Sequence, residues 1–227
     1  MKSTSLKKIL PWVLAIGGFI GFLASRIITI DKIELLKNPA FVPSCKLNPI
    51  LSCGSVMVTP QASVFGFANS LIGIASFAVL ITIGMAIFAG AQFKRWFWLG
   101  LQAGTIFGIA FVTWLQYETT FEIQALCIYC MVVWSVVIPI FVYTSLYNLA
   151  EGHIKTPKQL KGIVAFLQRN HYNVVLIWYL LIMGVLLQHP DGIGRGEGDG
   201  AQDQRPLAAE QAIGGHQHQN DDRAGQC

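Results

Sequence analysis

The stretch FEIQALCIYCMVVWSVVIPIFVYTSLY, residues 121–147, decides how this chain folds. It is apolar and long enough to cross a bilayer as a helix, which takes about 20 residues. It also carries a C-x-x-C motif, formed by Cys127 and Cys130. Thr119 and Glu122 form a capping-box pattern, so we expect the helix to begin there and to hold the two sulfurs about two and three turns inside it.

Composition indicates that lipid is the solvent of the whole chain. Hydrophobic residues make up 53% of the 227 residues and charged residues only 12%, about half the charged share of a soluble domain. The net charge of +4 is small and dispersed, so no nucleic-acid partner is expected. Five apolar runs are predicted to span the membrane: 10–30, 64–91, 96–117, 121–147 and 173–188. The expected fold is an all-α integral membrane protein, a four-helix transmembrane bundle plus a fifth transmembrane helix.

Basic residues predict the orientation, because cytoplasmic segments are enriched in them. They precede the first span, separate the second from the third, and separate the fourth from the fifth: Lys2, Lys7, Lys8, Lys94, Arg95, Lys155, Lys158, Lys161 and Arg169. The connection at 117–123 has none. Parity then puts the loop 31–62 outside, despite its three lysines. We therefore expect a multi-pass protein of the bacterial cytoplasmic membrane whose active site faces the extracytoplasmic side.

Small residues predict where helices approach each other closely. Gly100, Gly104 and Gly108 repeat at intervals of four and are predicted to form a close helix contact. Gly17 and Gly21 have the same spacing, and for them chance and packing are equally compatible with the sequence.

The two cysteine pairs predict redox chemistry on the outer side. Cys45 and Cys53 flank a loop segment and are expected to be exposed and mobile, whereas Cys127 and Cys130 are expected to be fixed in a helix. Disulfides form and persist outside the bacterial cytoplasm, and electrons pass between neighbouring pairs by thiol–disulfide exchange. The last acceptor has to live in the membrane and take two electrons, and a quinone does both. Cys227 lies in a polar tail and no role is assigned to it.

Two other interpretations of the cysteines are open. Four cysteines can hold zinc or an iron–sulfur cluster, but two of the ligands would lie in a membrane helix, and no metal site is expected. A non-catalytic membrane protein with structural disulfides is the second alternative. As a transporter it lacks support, since no Lys, Arg or Asp lies deep in a predicted span, where transporters place ionisable residues.

A quinone site near the helix-borne pair can be sketched from helix geometry. Asn69 lies roughly 9 Å below a second helix starting near Ser63, and Cys130 roughly 16 Å below Thr119. These depths are of similar order, so the Asn69 amide could hydrogen-bond a quinone carbonyl, or simply a neighbouring helix. Phe65 and Trp134 could wall the ring, although aromatic residues in membrane helices are mostly packing residues or interface anchors.

These residues resemble the vitamin K epoxide reductase family, in its bacterial disulfide-forming branch, over about residues 10–147. The resemblance is carried by Cys45, Cys53 and the C-x-x-C at Cys127 and Cys130. C-G-S-V at 53–56 and V-F-G at 64–66, followed by Asn69, Ser70 and Gly73, support it.

The resemblance implies a four-helix bundle around a quinone, either menaquinone or ubiquinone. It implies that Cys45 exchanges with the partner protein, that Cys53 shuttles to Cys127, and that Cys130 is the thiolate beside the quinone. Asn69 falls on the family's quinone-contacting asparagine. The implied function is a membrane thiol–disulfide oxidoreductase, with reduction of a quinone epoxide by the same cysteines as the alternative.

The chain departs from the family pattern at two points. Animal members carry a tyrosine four residues after the second C-x-x-C cysteine, where this chain has Trp134, which favours packing over a hydrogen bond. Many bacterial members carry a fused thioredoxin-like domain, which is not expected here, so the implied partner is a separate thioredoxin-like extracytoplasmic protein, besides quinone and membrane lipid.

The predicted organisation of the chain follows from these points. Its segments are a cytoplasmic N-terminus at 1–9, a four-helix redox bundle at 10–147 with the extracytoplasmic cysteine loop 31–62, a cytoplasmic linker at 148–172, the fifth transmembrane helix at 173–188 and a disordered polar tail at 189–227.

Overall fold

The computed structural model describes residues 3–38, 41, 43, 45, 53–123, 125–154 and 161–187, and within these ranges it contains helices and no β-strand. The α-helices are, in chain order, α1 (Ser3–Trp12), α2 (Gly18–Lys37), α3 (Cys53–Met57), α4 (Asn69–Phe88), α5 (Arg95–Tyr117), α6 (Ile128–Ala150), α7 (Lys161–Arg169) and α8 (His171–Leu187). A π-helical turn, Val13–Gly17, joins α1 to α2, and a second one, Glu118–Glu122, extends α5.

In the part of the chain that the structure describes, four helical stretches are long and apolar enough to cross a membrane. They are Leu6–Lys37, Asn69–Phe88, Arg95–Glu122 and Ile128–Ala150. Large apolar side chains are exposed along the first three of these stretches, among them Trp12, Phe19, Val79, Ile106 and Phe107. So much exposed apolar surface is rare on a soluble monomer and suits a surface that faces lipid. The predicted all-α membrane bundle is confirmed.

The first span is longer than the sequence predicts. The prediction ended it at residue 30, whereas α2 continues to Lys37. Its last turns carry charged residues, and Lys37 pairs with Glu34 at 2.9 Å, three residues apart on the helix surface. The length of an apolar run therefore predicts how much of a helix can lie in lipid, but it does not predict the residue at which the helix ends. The predicted loop 31–62 accordingly begins inside α2.

The fourth span begins later than its capping-box pattern predicts. Helix α6 starts at Ile128. The hydroxyls of Thr119 and Thr120 donate to backbone carbonyls one turn earlier, on Leu115 and Gln116. Threonine often bonds back in this way to the carbonyl four residues before it. These two threonines therefore belong to the end of α5, and the predicted start near Thr119 was wrong.

The second span also begins late. It was predicted from residue 64, whereas α4 starts at Asn69. A 3-10 turn, Pro60–Ser63, precedes it, and Gly66 has a φ of 80°. Glycine adopts this left-handed conformation without a steric penalty. The chain therefore turns here before the helix can start.

The third and fifth predicted helices lie close to their expected positions. Helix α5 matches the predicted run 96–117 within one residue. Helix α8 has 17 residues, about 26 Å at the rise of an α-helix, so its crossing of the membrane stays a prediction. The predicted linker 148–172 contains the end of α6 and all of α7. The predicted tail 189–227 lies outside the described residues.

Close packing is concentrated on the first span. Helix α2 packs against α4 and α6. A Cβ added at Gly21 would lie 2.4 Å from the Phe77 ring, and one added at Gly84 would lie 2.8 Å from the backbone nitrogen of Ala15. Glycine at such positions lets helix backbones approach each other in lipid. The contact of the first span with its neighbours therefore depends on glycines, because a larger side chain at these positions would collide with the facing helix.

The predicted glycine ladder on α5 is not a packing surface. A Cβ added at Gly100 or Gly104 would meet no heavy atom within 4 Å, and one at Gly108 would meet only Val137, at 3.9 Å. The prediction for these glycines was wrong. They leave space beside α5, and this space is part of the cavity described below.

These two kinds of glycine predict opposite effects of the same substitution. Gly84→Ala should lower the free energy of unfolding by about 1–3 kcal/mol, because the new methyl group meets the backbone of Pro11 and Ala15. Gly104→Ala serves as the matched control and should leave stability unchanged or raise it by up to about 1 kcal/mol, since alanine is the better helix former. Thermal unfolding of both variants in the same detergent measures the difference, and equal midpoints would contradict this account of the packing.

Candidate active site

The four cysteines of the two predicted pairs lie at one end of the bundle. Cys45, Cys53 and Cys127 belong to one buried apolar cluster, and Cys130 packs against it. A disulfide joins Cys45 to Cys53, with their Cα atoms 5.9 Å apart, inside the usual range for this bond. Cys127 and Cys130 are free thiols. The two pairs predicted from the sequence are therefore neighbours in space.

The loop pair is less accessible than expected. Cys45 is 4% exposed and Cys53 is fully buried, whereas the sequence predicts exposed, mobile sulfurs. The reason is local, because helix α3 begins at Cys53 and buries Val56 and Met57 in the same cluster. Residues 46–52, between the two cysteines, lie outside the described residues. With the disulfide closed, the sulfur of Cys45 is packed among apolar side chains and turned from water.

The C-x-x-C motif sits at the start of α6 rather than deep inside it. Cys127 has an extended backbone, with φ −105° and ψ 120°, and is the residue that precedes the helix. Cys130 is the third helical residue, about 4.5 Å along the axis. Two residues three apart in a first turn share one side of the helix. The motif therefore lies at the positive end of the helix dipole, whereas the predicted helix start near Thr119 placed it about two to three turns away from that end.

The Cys127 thiol precedes the fourth span and is tuned by its motif. A hydrogen bond with the Cys130 thiol is the main cause that lowers the pKa of Cys127. Backbone N–H groups of Cys130 and Tyr129 act in the same direction, while burial and the charge of Asp31 oppose them. A thiolate is the form that attacks disulfides. Cys127 is therefore prepared for exchange although it is buried.

A large apolar cavity adjoins the cysteine cluster. Its volume is about 640 Å³, and it lies between α4, α5 and α6 with part of α2 along one side. Cavities of about 300–1,000 Å³ with apolar walls and a few polar groups are typical of small-molecule sites. The open glycines of α5, Gly100 and Gly104, form part of its wall.

Of the four cysteines in the predicted pairs, Cys130 alone lines this cavity. Cys45, Cys53 and Cys127 do not reach it. Cys130 also packs against the cluster that holds those three. Cys130 therefore lies between the buried cluster that contains the loop disulfide and the apolar cavity.

Asn69 reaches the cavity in a way that the sequence does not reveal. It is the first residue of α4 and lines the cavity, so it is not 9 Å below a helix start. Its Nδ2 donates to the carbonyl oxygen of Gln61 at 2.7 Å, and its Oδ1 accepts from the backbone N–H of Val64 at 3.2 Å. Because Asn69 and Cys130 both stand in the first turn of their helices, they still share a level, although both predicted depths were wrong.

The two aromatic candidates have different places. Trp134 lines the cavity, is 5% exposed and packs beside Cys130. Phe65 is 48% exposed and does not line the cavity. Its ring lies 5.9 Å from that of Phe111, which does line it. Phe65 therefore stands at the rim, and a direct contact with a ligand stays a prediction for both rings.

Three charged residues near the site were not among the sequence-based candidates. Lys32 and Glu118 line the cavity. Lys32 donates through Nζ to the carbonyl oxygen of Ala62 at 3.2 Å and to the hydroxyl of Ser63. Asp31 is buried in α2. Ionisable residues within a membrane span are functional candidates by default, but the predicted span ended at residue 30 and so left Asp31 and Lys32 in the loop.

The residues present fit a quinone. The cavity offers apolar walls, a thiol at Cys130 and an amide at Asn69. An amide nitrogen has two N–H donors, and the bond to Gln61 uses one of them. The other can donate to a carbonyl oxygen of the kind that a quinone carries. Among the described residues, no three His, Cys, Asp or Glu side chains are grouped as metal ligands.

Comparison with known proteins agrees with this geometry. A family model described as the vitamin K epoxide reductase family matches residues 12–145, more than half of the chain. No curated protein matched the chain. The family consists of membrane oxidoreductases that exchange thiols with disulfides and use quinones. The matched segment contains both cysteine pairs and all four membrane spans, apart from the first residues of the first span and the last residues of the fourth. The chain belongs to the vitamin K epoxide reductase family.

Proposed function

We propose that this protein oxidises a separate thioredoxin-like extracytoplasmic protein and passes the electrons through its two cysteine pairs to a membrane quinone. The partner's dithiol reduces the Cys45–Cys53 disulfide. The new thiols then reduce a Cys127–Cys130 disulfide, and Cys130 delivers the electrons into the cavity. A bound quinone, menaquinone or ubiquinone, supplies a two-electron acceptor that stays in the membrane. The cysteine end of the bundle faces the extracytoplasmic side in this proposal.

One observation carries the proposal. Cys130 packs against the cluster that contains the disulfide and also lines the apolar cavity. A sulfur in this position can accept electrons from one pair and hand them to a ligand that water-soluble groups do not reach. A purely structural disulfide needs neither the second pair nor the cavity.

The redox state of the structure fits one stage of this route. The loop pair is closed and the helix pair is reduced. Thiol–disulfide exchange proceeds through a mixed disulfide and leaves one pair oxidised and the other reduced. In the proposed route, this combination of one closed and one reduced pair follows the transfer of electrons to Cys127 and Cys130. Because Cys45 is buried in this state, the next partner can attack it only after the sulfur becomes accessible.

The main test removes the sulfur at the cavity. Cys130→Ala should abolish quinone-dependent oxidation of a reduced thioredoxin-like protein, measured with purified enzyme in lipid nanodiscs and a water-soluble quinone analogue. The control is Cys227→Ala, which removes a cysteine outside both pairs and should keep the wild-type rate. Retained turnover in Cys130→Ala would reject the role of this sulfur, and inactive wild-type enzyme would reject the proposed function.

A second test concerns the order of the sulfurs. In a Cys45→Ser/Cys130→Ser variant, Cys53 and Cys127 should form a disulfide readily, because the proposed route passes electrons through a bond between these two sulfurs. In Cys53→Ser/Cys130→Ser, the remaining pair should form more slowly, since the proposed route has no bond between Cys45 and Cys127. Mass-spectrometric mapping of the linked peptides after mild oxidation measures both yields. Equal yields would contradict the assignment of Cys53 as the shuttle.

A third test separates two roles of Asn69. Asn69→Ala removes the bonds to Gln61 and Val64 and should lower the free energy of unfolding by about 1–2 kcal/mol. If the remaining N–H contacts the quinone, the KM for quinone should also rise about tenfold, while the KM for the protein partner stays unchanged. Thr82→Ala is the control, because the Thr82 hydroxyl bonds only within its own helix, to Ala78. An unchanged quinone KM in Asn69→Ala would leave Asn69 a structural residue.

A further inference from the structure

Asp31 is a buried acid that the relay described above does not use. It is 8% exposed, and its Oδ2 is enclosed without a hydrogen-bond partner among the residues that the structure describes. An unpaired polar group costs free energy when it is buried. Such a group in a folded protein calls for an explanation.

The position of Asp31 relates it to the sulfurs. Ile28, Asp31 and Leu35 follow each other at intervals of three and four, so they lie on one face of α2. Ile28 and Leu35 both pack against the cysteine cluster. Asp31 lies between them on this face, and its charge acts to raise the pKa of the Cys127 thiol. Lys32, its neighbour in sequence, is bonded elsewhere, to Ala62 and Ser63.

The exchange between the pairs needs a proton acceptor and a proton donor at this place. Cys53 has to lose a proton before it attacks, and Cys127 has to gain one when it leaves the mixed disulfide. Cys53 is 0% and Cys127 is 1% exposed, so bulk water does not serve either sulfur directly. A side chain that holds the proton within the cluster can do so, and general acid–base catalysis of this kind commonly accelerates a step by about 10²–10⁴-fold.

We propose that Asp31 carries the proton from Cys53 to Cys127 during exchange between the two pairs. This inference rests on the proposed relay. The Asp31 carboxylate takes the proton of the Cys53 thiol, and the Cys53 thiolate bonds to the Cys127 sulfur. The Cys127–Cys130 bond breaks, and its electron pair stays on Cys130 as a thiolate.

The second half of the exchange returns Asp31 to its starting state. The reductant has reached Cys45 at this stage, so the Cys45 proton leaves to the solvent, and its thiolate attacks Cys53 and closes the loop disulfide. The bond between Cys53 and Cys127 breaks, and Cys127 takes the electron pair together with the proton that Asp31 holds. Two electrons have then moved inward, the helix pair is reduced, and one proton has passed through Asp31.

The test follows the disulfides directly, in quinone-free full-length protein. The fully oxidised enzyme is mixed with dithiothreitol, quenched at set times with an alkylating reagent and mapped for free thiols. Cys53→Ser measures any direct reduction of the helix pair. In Asp31→Asn the loop pair should be reduced at the wild-type rate, while electrons should reach Cys127 and Cys130 at least about tenfold more slowly. Asp31→Glu, which keeps a carboxyl group, should restore part of the rate.

The matched control is Glu34→Gln, which removes a half-exposed carboxylate one turn away that is paired with Lys37. It should exchange at the wild-type rate. A wild-type exchange rate in Asp31→Asn overturns the proposal, as does an Asp31→Glu variant no faster than Asp31→Asn, since the effect would then come from packing. Neither quinone nor protein partner takes part, so inactivity toward quinone would reject the proposed function while leaving this measurement intact.

Discussion

The start of α6 at Ile128 is the constraint on which the rest of the site depends. Because the helix begins directly after Cys127, both sulfurs of the C-x-x-C stand in its first turn and not halfway across the bilayer. Their neighbours differ although they are only three residues apart, since Cys127 precedes the helix and Cys130 lies in its first turn. Cys127 is enclosed with the loop disulfide, and Cys130 reaches the cavity. A helix that began one or two turns earlier would bury the motif among the spans and remove it from the loop pair.

The bundle is packed tightly on one side and loosely on the other. The glycines of α2 and α4 bring backbones together, whereas Gly100 and Gly104 of α5 face open space. Lipid gives little apolar driving force between helices, so contact depends on close van der Waals fit. The first span and α4 achieve that fit, whereas α5 leaves a space of about 640 Å³ beside it. The same residue type thus closes one helix contact and keeps another open.

Features that depend on composition can be predicted from the sequence. Features that depend on a single local hydrogen bond cannot. The four spans, the two cysteine pairs and their proximity follow from apolar length, spacing and parity. Helix starts do not, because Thr119 can cap a helix or bond back to Leu115 with equal chemical ease. The burial of Cys45 and Cys53 depends on α3 and the cluster around it, and the loop-like sequence of this segment indicates neither of them. Whether a glycine packs or lines a space depends on what stands opposite, which spacing alone does not contain.

Burial has opposite consequences for electrons and for protons in this site. Sulfurs that are 0–4% exposed are protected from stray thiols, and exchange between them needs only contact. Each transfer nevertheless changes the charge of a sulfur, and charge in an enclosed apolar place is costly unless a proton accompanies it. Water can supply that proton at an exposed site, but an enclosed cluster has to carry its own source. The buried carboxyl of Asp31 is unfavourable for the packing of α2. In the proposed exchange, the same enclosure that makes this carboxyl unfavourable also makes it necessary as a proton carrier.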